Sequence, residues 1–339
     1  MPPMKAWFLR FFTHQAPAVA PLLRQDTSEL PLPPHLSALV LLPGRASLDG
    51  DFLVWMTQCD AIPEAPVGPA EQRVLQRLEA RVADPSTHAS LLPRAAGVVP
   101  GLLARLRSER SSLRELADHV SRDPTLVAEV MAMANSAFYR RERPVMELSH
   151  SIQMLGVGGL RAAIARVVLK PLVDARSGSL VKRGAPRLWR HTEFKTQLAA
   201  EIARSQSLDP FDAYLLALLH DIAWSVVLRE LDADTHWRLS PAFAAELAGW
   251  RDRLASLIAR QWRPHGPWVG AADELANQGL TAESSAEVLN LCAADQLAWL
   301  LCDPARAHAR ELAEPMLAAA LPAVRACFAE LDPVAPARE

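Results

Sequence analysis

The sequence predicts an all-α fold, on the evidence of its composition, its helix-capping signals and its lack of strand patterns. Half of the residues are hydrophobic, but aromatic residues make up only 6%. Much of the apolar content is alanine and leucine, which favour helix over sheet. After residue 90 no convincing alternation of apolar and polar residues indicates a strand. The short connections between the predicted helices are typical of a multi-helix bundle.

Capping signals locate the first helices after residue 90. Ser112-Leu-Arg-Glu115 has the pattern of a capping box, in which each side chain bonds the other residue's backbone. Asp123-Pro124 combines an N-cap aspartate with proline at the first helical position. Gly156-Val-Gly-Gly159 predicts a tight corner between two helices. Together these signals predict helices over 112–120, 125–138, 148–155 and 160–173.

Prolines and glycines divide the rest of the chain. The segment Gly178–Pro186 has the composition of a loop, so the next helix is expected from about Arg187 to Ser205. Asp209-Pro210 predicts the cap of the following helix, which runs to about Leu231. Further helices are predicted over 241–263, 284–301 and 315–331.

The first ninety residues differ from the rest because they are rich in proline. The apolar segment 36–42 fits either a short buried strand or a piece of helix, since periodicity cannot decide at that length. Short helices are predicted over 49–59 and 69–82. We therefore divide the chain into an N-terminal region of unknown role and helical or mixed structure (1–88), a helical domain (89–301), and a C-terminal helix and tail (302–339).

Charge and cysteine content exclude several classes of protein. The net charge is −2 with the signs interspersed, and no basic block indicates a nucleic-acid or membrane surface. The four cysteines form no C-x-x-C pair, which favours reduced core cysteines of a cytosolic protein. The sequence has no charge-free apolar run of about 18 residues and no signal-peptide pattern at its N-terminus. These features predict a soluble, cytoplasmic protein without membrane insertion.

A histidine–aspartate doublet, His220–Asp221, interrupts an otherwise apolar stretch from Tyr214 to Leu228. Two polar groups inside a buried helix must be paired, hydrogen-bonded or bound to metal, because leaving them unsatisfied costs several kcal/mol. The doublet is therefore the first candidate for a functional site.

A series of short motifs resembles a known family. Leu92-Pro93 and Val99-Pro100 lead into the capped helix Leu113–Val120, and Ala134-Asn-Ser-Ala-Phe-Tyr139 is followed at a typical spacing by Ser151-Ile-Gln-Met-Leu-Gly156. This series resembles the HDOD domain, the HD-related output domain of bacterial signalling proteins, from about Leu91 to Leu280 and as far as Leu300. The resemblance implies an all-α fold with two lobes, a kinship with metal-dependent HD phosphohydrolases, and a regulatory or scaffolding role without established catalysis.

The resemblance also implies a ligand set for a divalent metal of unknown identity. The HD pattern of a histidine, a His-Asp doublet and a distant aspartate is matched by His191, His220, Asp221 and Asp295. Imidazoles and carboxylates suit such an ion, which would acidify a water that attacks phosphorus. A buried hydrogen-bonded network that fixes the bundle is the alternative interpretation. Both interpretations stay open at this point.

The residues after the doublet depart from the pattern of active relatives. Ala223 and Trp224 stand where those relatives often have Gly and Lys, and an indole cannot take the place of a phosphate-binding lysine. The basic groups nearest in sequence to the ligand set, Arg190 and Lys195, are the candidates for phosphate contacts.

Two further segments have functional interpretations. Asn135 and Tyr139 are candidates for a ligand or interface surface, although Asn135 could simply tie a helix end. Residues 151–170 resemble a helix-turn-helix, the alternative being a plain helix corner.

The function predicted is a non-catalytic bacterial signalling scaffold that acts through contacts with other signalling proteins and could hold a metal or small ligand. The alternatives are a metal-dependent phosphohydrolase or phosphodiesterase acting on a nucleotide, and a DNA-binding regulator through residues 151–170. Nucleic acid is not the expected partner.

Overall fold

The computed structural model describes residues 45–91, 106, 112–136, 139, 144–173, 178–234, 236–261, 267–281, 283–302 and 322–331. The segment 36–42 and most of the predicted C-terminal tail lie outside these ranges. Within them every regular element is a helix, and the only strand-like pairing is an isolated bridge between Ala61 and Leu239. The predicted all-α fold is confirmed.

The helices fall into three sets according to their packing. The N-terminal set is α1 (Arg45–Thr57), α2 (Pro69–Ala83) and, after the 3-10 turn Pro85–Thr87, α3 (His88–Leu91). The first lobe is formed by α4 (Leu113–Ser121), α5 (Pro124–Ala134) and α6 (Leu148–Val173), which pack on one another. The second lobe is formed by α7 (Ser179–Ser205), α8 (Pro210–Asp232), α9 (Pro241–Gln261), α10 (Pro267–Gln278) and α11 (Ala286–Cys302). Helix α6 packs on α8 and joins the lobes, while α12 (Pro322–Leu331) packs on α7.

The predicted caps are present where the sequence placed them. The Ser112 side chain accepts from the Glu115 amide, and Glu115 accepts from the Ser112 amide, so the capping box of α4 is complete. Asp123 caps α5 and Asp209 caps α8, each accepting from two amides of the first turn. These signals act over three residues of chain, which is why sequence alone could locate them.

The predicted corner in α6 is a kink at a single residue. Gly156 has φ 61° and ψ −166°, a left-handed backbone conformation that glycine adopts without a Cβ penalty. Helical geometry resumes directly after it, so the two predicted helices run on as one bent element.

The predicted loop over 178–186 is wrong. Helix α7 begins at Ser179 and includes Pro186. Its start is capped by Asp232, at the end of α8, whose two carboxylate oxygens accept from the amides of Leu180 and Val181, both at 2.8 Å. Because this cap lies more than 50 residues away in sequence, no local signal predicts it.

Helix α8 is the central helix of the second lobe and contacts α6, α7, α9 and α11. By length and hydropathy alone, α8 and the stretch Leu148–Lys170 of α6 could cross a membrane, but 89% and 56% of their most apolar windows are buried inside the protein. Such burial accounts for their composition, as it does in core helices of soluble proteins. The cytoplasmic location stays a prediction.

The N-terminal helices pack against the second lobe. Helix α1 contacts α7, α9 and α11, and α2 contacts α8 and α9. Arg77 donates to the backbone carbonyl of Glu230 at 2.8 Å. The side-chain carboxylate of Glu230 also pairs with Arg81. The Arg238 amide donates to Glu71 at 2.6 Å. The predicted short helices are thus present, while the domain boundary at residue 88 stays a prediction.

Removal of the long-range cap of α7 is expected to destabilise the second lobe. Asp232→Ala leaves two amides without their acceptor and should lower the free energy of unfolding by about 1–2 kcal/mol, measured by urea titration. Asp118→Ala, on the exposed face of α4, is the control and should change it by less than about 0.5 kcal/mol. Equal effects for the two variants would contradict the capping role.

Candidate functional site: a buried polar cluster

Four helices of the second lobe direct charged or titratable side chains toward one region of the core. We call this group the buried polar cluster, and it comprises His191 and Lys195 from α7, His220 and Asp221 from α8, Arg251 and Asp252 from α9, and Asp295 from α11. His191, Lys195, His220, Asp221 and Arg251 have side chains at most 2% exposed, whereas Asp252 and Asp295 keep 13% and 15% of theirs. The cluster therefore unites all four predicted metal ligands.

His191 and Asp221 form the first contact of the cluster. The His191 Nδ1 atom lies 2.8 Å from Asp221 Oδ2, and the Thr192 hydroxyl donates to the same oxygen at 2.9 Å. The Nε2 atom of His191 lies 3.2 Å from the backbone carbonyl of Asp295 and 3.8 Å from its Oδ1. Both ring nitrogens thus face oxygen atoms of neighbouring helices.

Lys195 lies at the centre of the cluster. Its Nζ is 2.6 Å from His220 Nδ1, 2.6 Å from Asp221 Oδ1 and 2.5 Å from Asp295 Oδ1. The side chain is fully buried. Residues 191 and 195 are one turn apart on α7, so both face the same neighbours. Lys195, predicted to contact phosphate, is therefore placed among the predicted metal ligands themselves.

His220 is held between a cation and a carboxylate. Its Nε2–H donates to Asp252 Oδ1 at 2.9 Å, which leaves Nδ1 as the acceptor for the Lys195 ammonium. Burial, together with the positive charges of Lys195 and Arg251, lowers the pKa of His220 to about 4. The imidazole is neutral at pH 7.

Asp221 and Asp295 of the cluster are ionised. Burial by itself would raise the pKa of Asp221, but the charges of Lys195 and His191 outweigh it and hold that pKa below its usual range. Burial likewise opposes ionisation of Asp295, and Lys195 and Arg251 hold the pKa of that carboxyl well below its usual range. Such pairing is what allows charges to persist in a protein interior.

Arg251 closes the cluster on the side of α9, and sequence reasoning missed it. Its Nε donates to Asp252 at 2.9 Å and its Nη1 lies 3.4 Å from Asp295 Oδ2. The guanidinium lies 5.1 Å from the Trp224 ring, so this indole packs under a cation. The sequence did contain a signal, because Arg251 and Asp252 lie between Trp250 and Leu254, which are both buried. Charged residues flanked by core residues indicate a paired buried site.

The N-terminal helix α1 covers the other side of the cluster. The Phe52 ring centroid lies 4.7 Å from that of His191 and 5.8 Å from that of Trp224. Asp49 Oδ1 lies 3.9 Å from Arg251 Nη1. The N-terminal region, whose role the sequence leaves unknown, thus packs an aromatic ring on the cluster and adds a carboxylate to it.

The other predicted site residues lie elsewhere. Arg190 is exposed, and its guanidinium lies 5.8 Å from the Phe194 ring. Asn135 donates to the Val145 carbonyl at 2.9 Å and accepts from its amide at 2.7 Å, so it ties the end of α5 to the chain before α6. Tyr139 lines a cavity of about 420 Å³ at the junction of the lobes, together with Tyr214. Neither Asn135 nor Tyr139 belongs to the buried polar cluster.

The basic residues of the helix-turn-helix candidate contact the protein itself. Arg166 is paired with Glu129 at 2.5 Å and with Glu193. Both Arg166 and Lys170 lie over the Trp189 ring. These contacts agree with a helix corner packed on the second lobe.

Comparison with known proteins adds a family and a fold. The family model of the HDOD domain matches residues 92–243, which include His191, His220 and Asp221, while α11 with Asp295 lies beyond them. No curated protein gives a match. A provisionally assigned metal-dependent phosphohydrolase from Shewanella amazonensis is similar with 14% identity and a TM-score of 0.52, over 78% of this chain and 99% of that one.

An HDOD domain protein of unknown function from Geobacter sulfurreducens is similar with 18% identity and a TM-score of 0.46, over 85% of this chain and 93% of that one. At 14% identity the likeness to the Shewanella protein speaks for the fold alone. The family match coincides with the motifs that carry the resemblance in sequence, from Leu92-Pro93 to the His-Asp doublet. The predicted resemblance to the HDOD family is thus confirmed by a family match at residues 92–243.

Proposed function

We propose that this chain is a non-catalytic regulatory scaffold of bacterial signalling, in which the buried polar cluster holds the helices of the second lobe in register. The single observation that supports it is that the charges of the cluster are paired with one another. Each ionised carboxylate contacts a cation of the same chain, and the two histidines are bonded to neighbouring helices. Contacts with other signalling proteins are the role implied by the family resemblance.

Hydrolysis would place demands that this arrangement does not meet. A catalytic metal needs an open coordination position for water and substrate. Here the ligand-type atoms of His220 and Asp221 face Lys195 and lie in side chains that are at most 2% exposed. Phe52 of α1 also packs on the ring of His191.

The second candidate function is a metal-dependent phosphohydrolase. One observation favours it: His191, Asp221 and Asp295 offer donor atoms that all lie within 4.8 Å of one another, and their types suit a divalent ion. When bound, such an ion would supply an acidified water. The Lys195 ammonium already contacts the carboxylates of Asp221 and Asp295, however, and two cations cannot share the space. The residues as arranged do not fit the metal.

A turnover assay separates the two functions. With Mn²⁺ or Mg²⁺ present, wild-type protein should hydrolyse p-nitrophenyl phosphate, bis-p-nitrophenyl phosphate and cyclic dinucleotides no faster than His220→Ala. His236→Ala is the matched control, since the His236 side chain is 82% exposed. Turnover that is present in wild type and in His236→Ala but lost in His220→Ala would refute the scaffold proposal.

The structural role of the cluster makes a separate prediction. Asp221→Ala leaves Lys195 and His191 without their shared acceptor and is expected to cost about 3–5 kcal/mol of the free energy of unfolding, as for other broken buried ion pairs. Chemical denaturation measures it. Asp60→Ala, at an exposed position, should change the value by less than about 0.5 kcal/mol. A cost below about 1 kcal/mol for Asp221→Ala would contradict the role.

A further inference from the structure

We infer that the Lys195 ammonium is the resident cation of the cluster and takes the place of a divalent metal, so that removal of this side chain creates a metal site. The inference does not depend on the scaffold proposal. It concerns only which cation occupies the space between His220, Asp221 and Asp295.

The geometry around Nζ supports this inference. Three atoms that are ordinary metal ligands, an imidazole nitrogen and two carboxylate oxygens, converge on it at 2.5–2.6 Å from two helices. Zinc and similar ions sit about 2.0–2.2 Å from such atoms, so the ligands would need to close in by only about half an ångström. His220 turns Nδ1, its unprotonated nitrogen, toward that point, as a metal ligand would.

The environment of Asp295 supports the same assignment. Its Oδ1 is buried and has no hydrogen-bond partner, so Lys195 compensates it as an ion, without an aligned hydrogen bond. Its Oδ2 faces Arg251 at 3.4 Å. A carboxylate oxygen that is buried, ionised and matched to a point charge is what a metal ligand requires.

The charge count completes the argument. Lys195 and Arg251 together supply two positive charges to the three carboxylates of Asp221, Asp252 and Asp295. A divalent ion in place of Lys195 would raise this to three, with Arg251 kept. An added ion would lie within a few ångströms of Nζ, in a medium where like charges repel strongly. The wild-type cluster therefore excludes the ion, and a truncated position 195 admits it.

The experiment is titration of full-length protein with Mn²⁺ and Co²⁺. Wild type should show no binding up to about 1 mM by calorimetry and no visible Co²⁺ absorption. Lys195→Ala should bind one equivalent at least 100-fold more tightly, with ligand-field bands of bound Co²⁺ and a rise in Tm on adding metal. The double variant Lys195→Ala/His220→Ala should lose the gain. Lys182→Ala, an exposed lysine of the same helix, should behave as wild type.

A second substitution keeps the test valid if Lys195→Ala does not fold. Lys195→Ser leaves a polar group in the space, and folding that requires added Mn²⁺ in either variant also supports the inference. The inference is overturned if wild type binds one equivalent of metal through His220, or if neither variant gains binding or metal-dependent folding. Phosphoester turnover by wild type, by contrast, bears on the scaffold proposal alone.

Discussion

The contact between one ammonium group and two carboxylates, at the centre of the second lobe, is the interaction on which the arrangement of the helices depends. Ionised groups can leave water only if their partners are already in place. Lys195 on α7 must meet Asp221 on α8 and Asp295 on α11 at the same time. A shift of any of these helices by one turn would leave a charged group in the core without its partner. The cluster therefore penalises alternative registers more than it adds to the stability of the native one.

The same constraint explains why the N-terminal helix belongs to the folded unit. Arg251 carries a charge into the core and is compensated on one side by Asp252 and Asp295 and on the other by Asp49 of α1. Phe52 then covers His191 with an aromatic ring. Without α1, Arg251 would lose the Asp49 carboxylate and His191 would lose the Phe52 ring. The N-terminal region thus acts on the site through packing, although no motif in it resembles a functional one.

The sequence predicted what is decided locally and missed what is decided by distant partners. Capping by Ser112, Asp123 and Asp209 follows from side chains within three residues of the amides they bind. The start of α7 depends on Asp232, more than 50 residues downstream. Pro186 lies inside this helix, although proline at that position predicts a helix boundary. The four predicted metal ligands could be matched to the HD pattern because they follow one another along the chain in the order of that pattern. The depth of Lys195 could not be predicted, since lysine is almost never fully buried unless paired.

An ammonium and a metal ion at the same point differ in what they can do afterwards. Either can gather carboxylates and an imidazole from separate helices and make their burial tolerable. Only the metal can bind a water, lower its pKa and present it to phosphorus. The lysine ammonium is also covalently part of the chain, so the folded state needs no ion from solution. In the proposed scaffold, the site therefore performs the structural role of a metal centre without the chemical one. Trp224 agrees with the structural role, because its indole packs under the Arg251 guanidinium and stabilises a cation of the cluster.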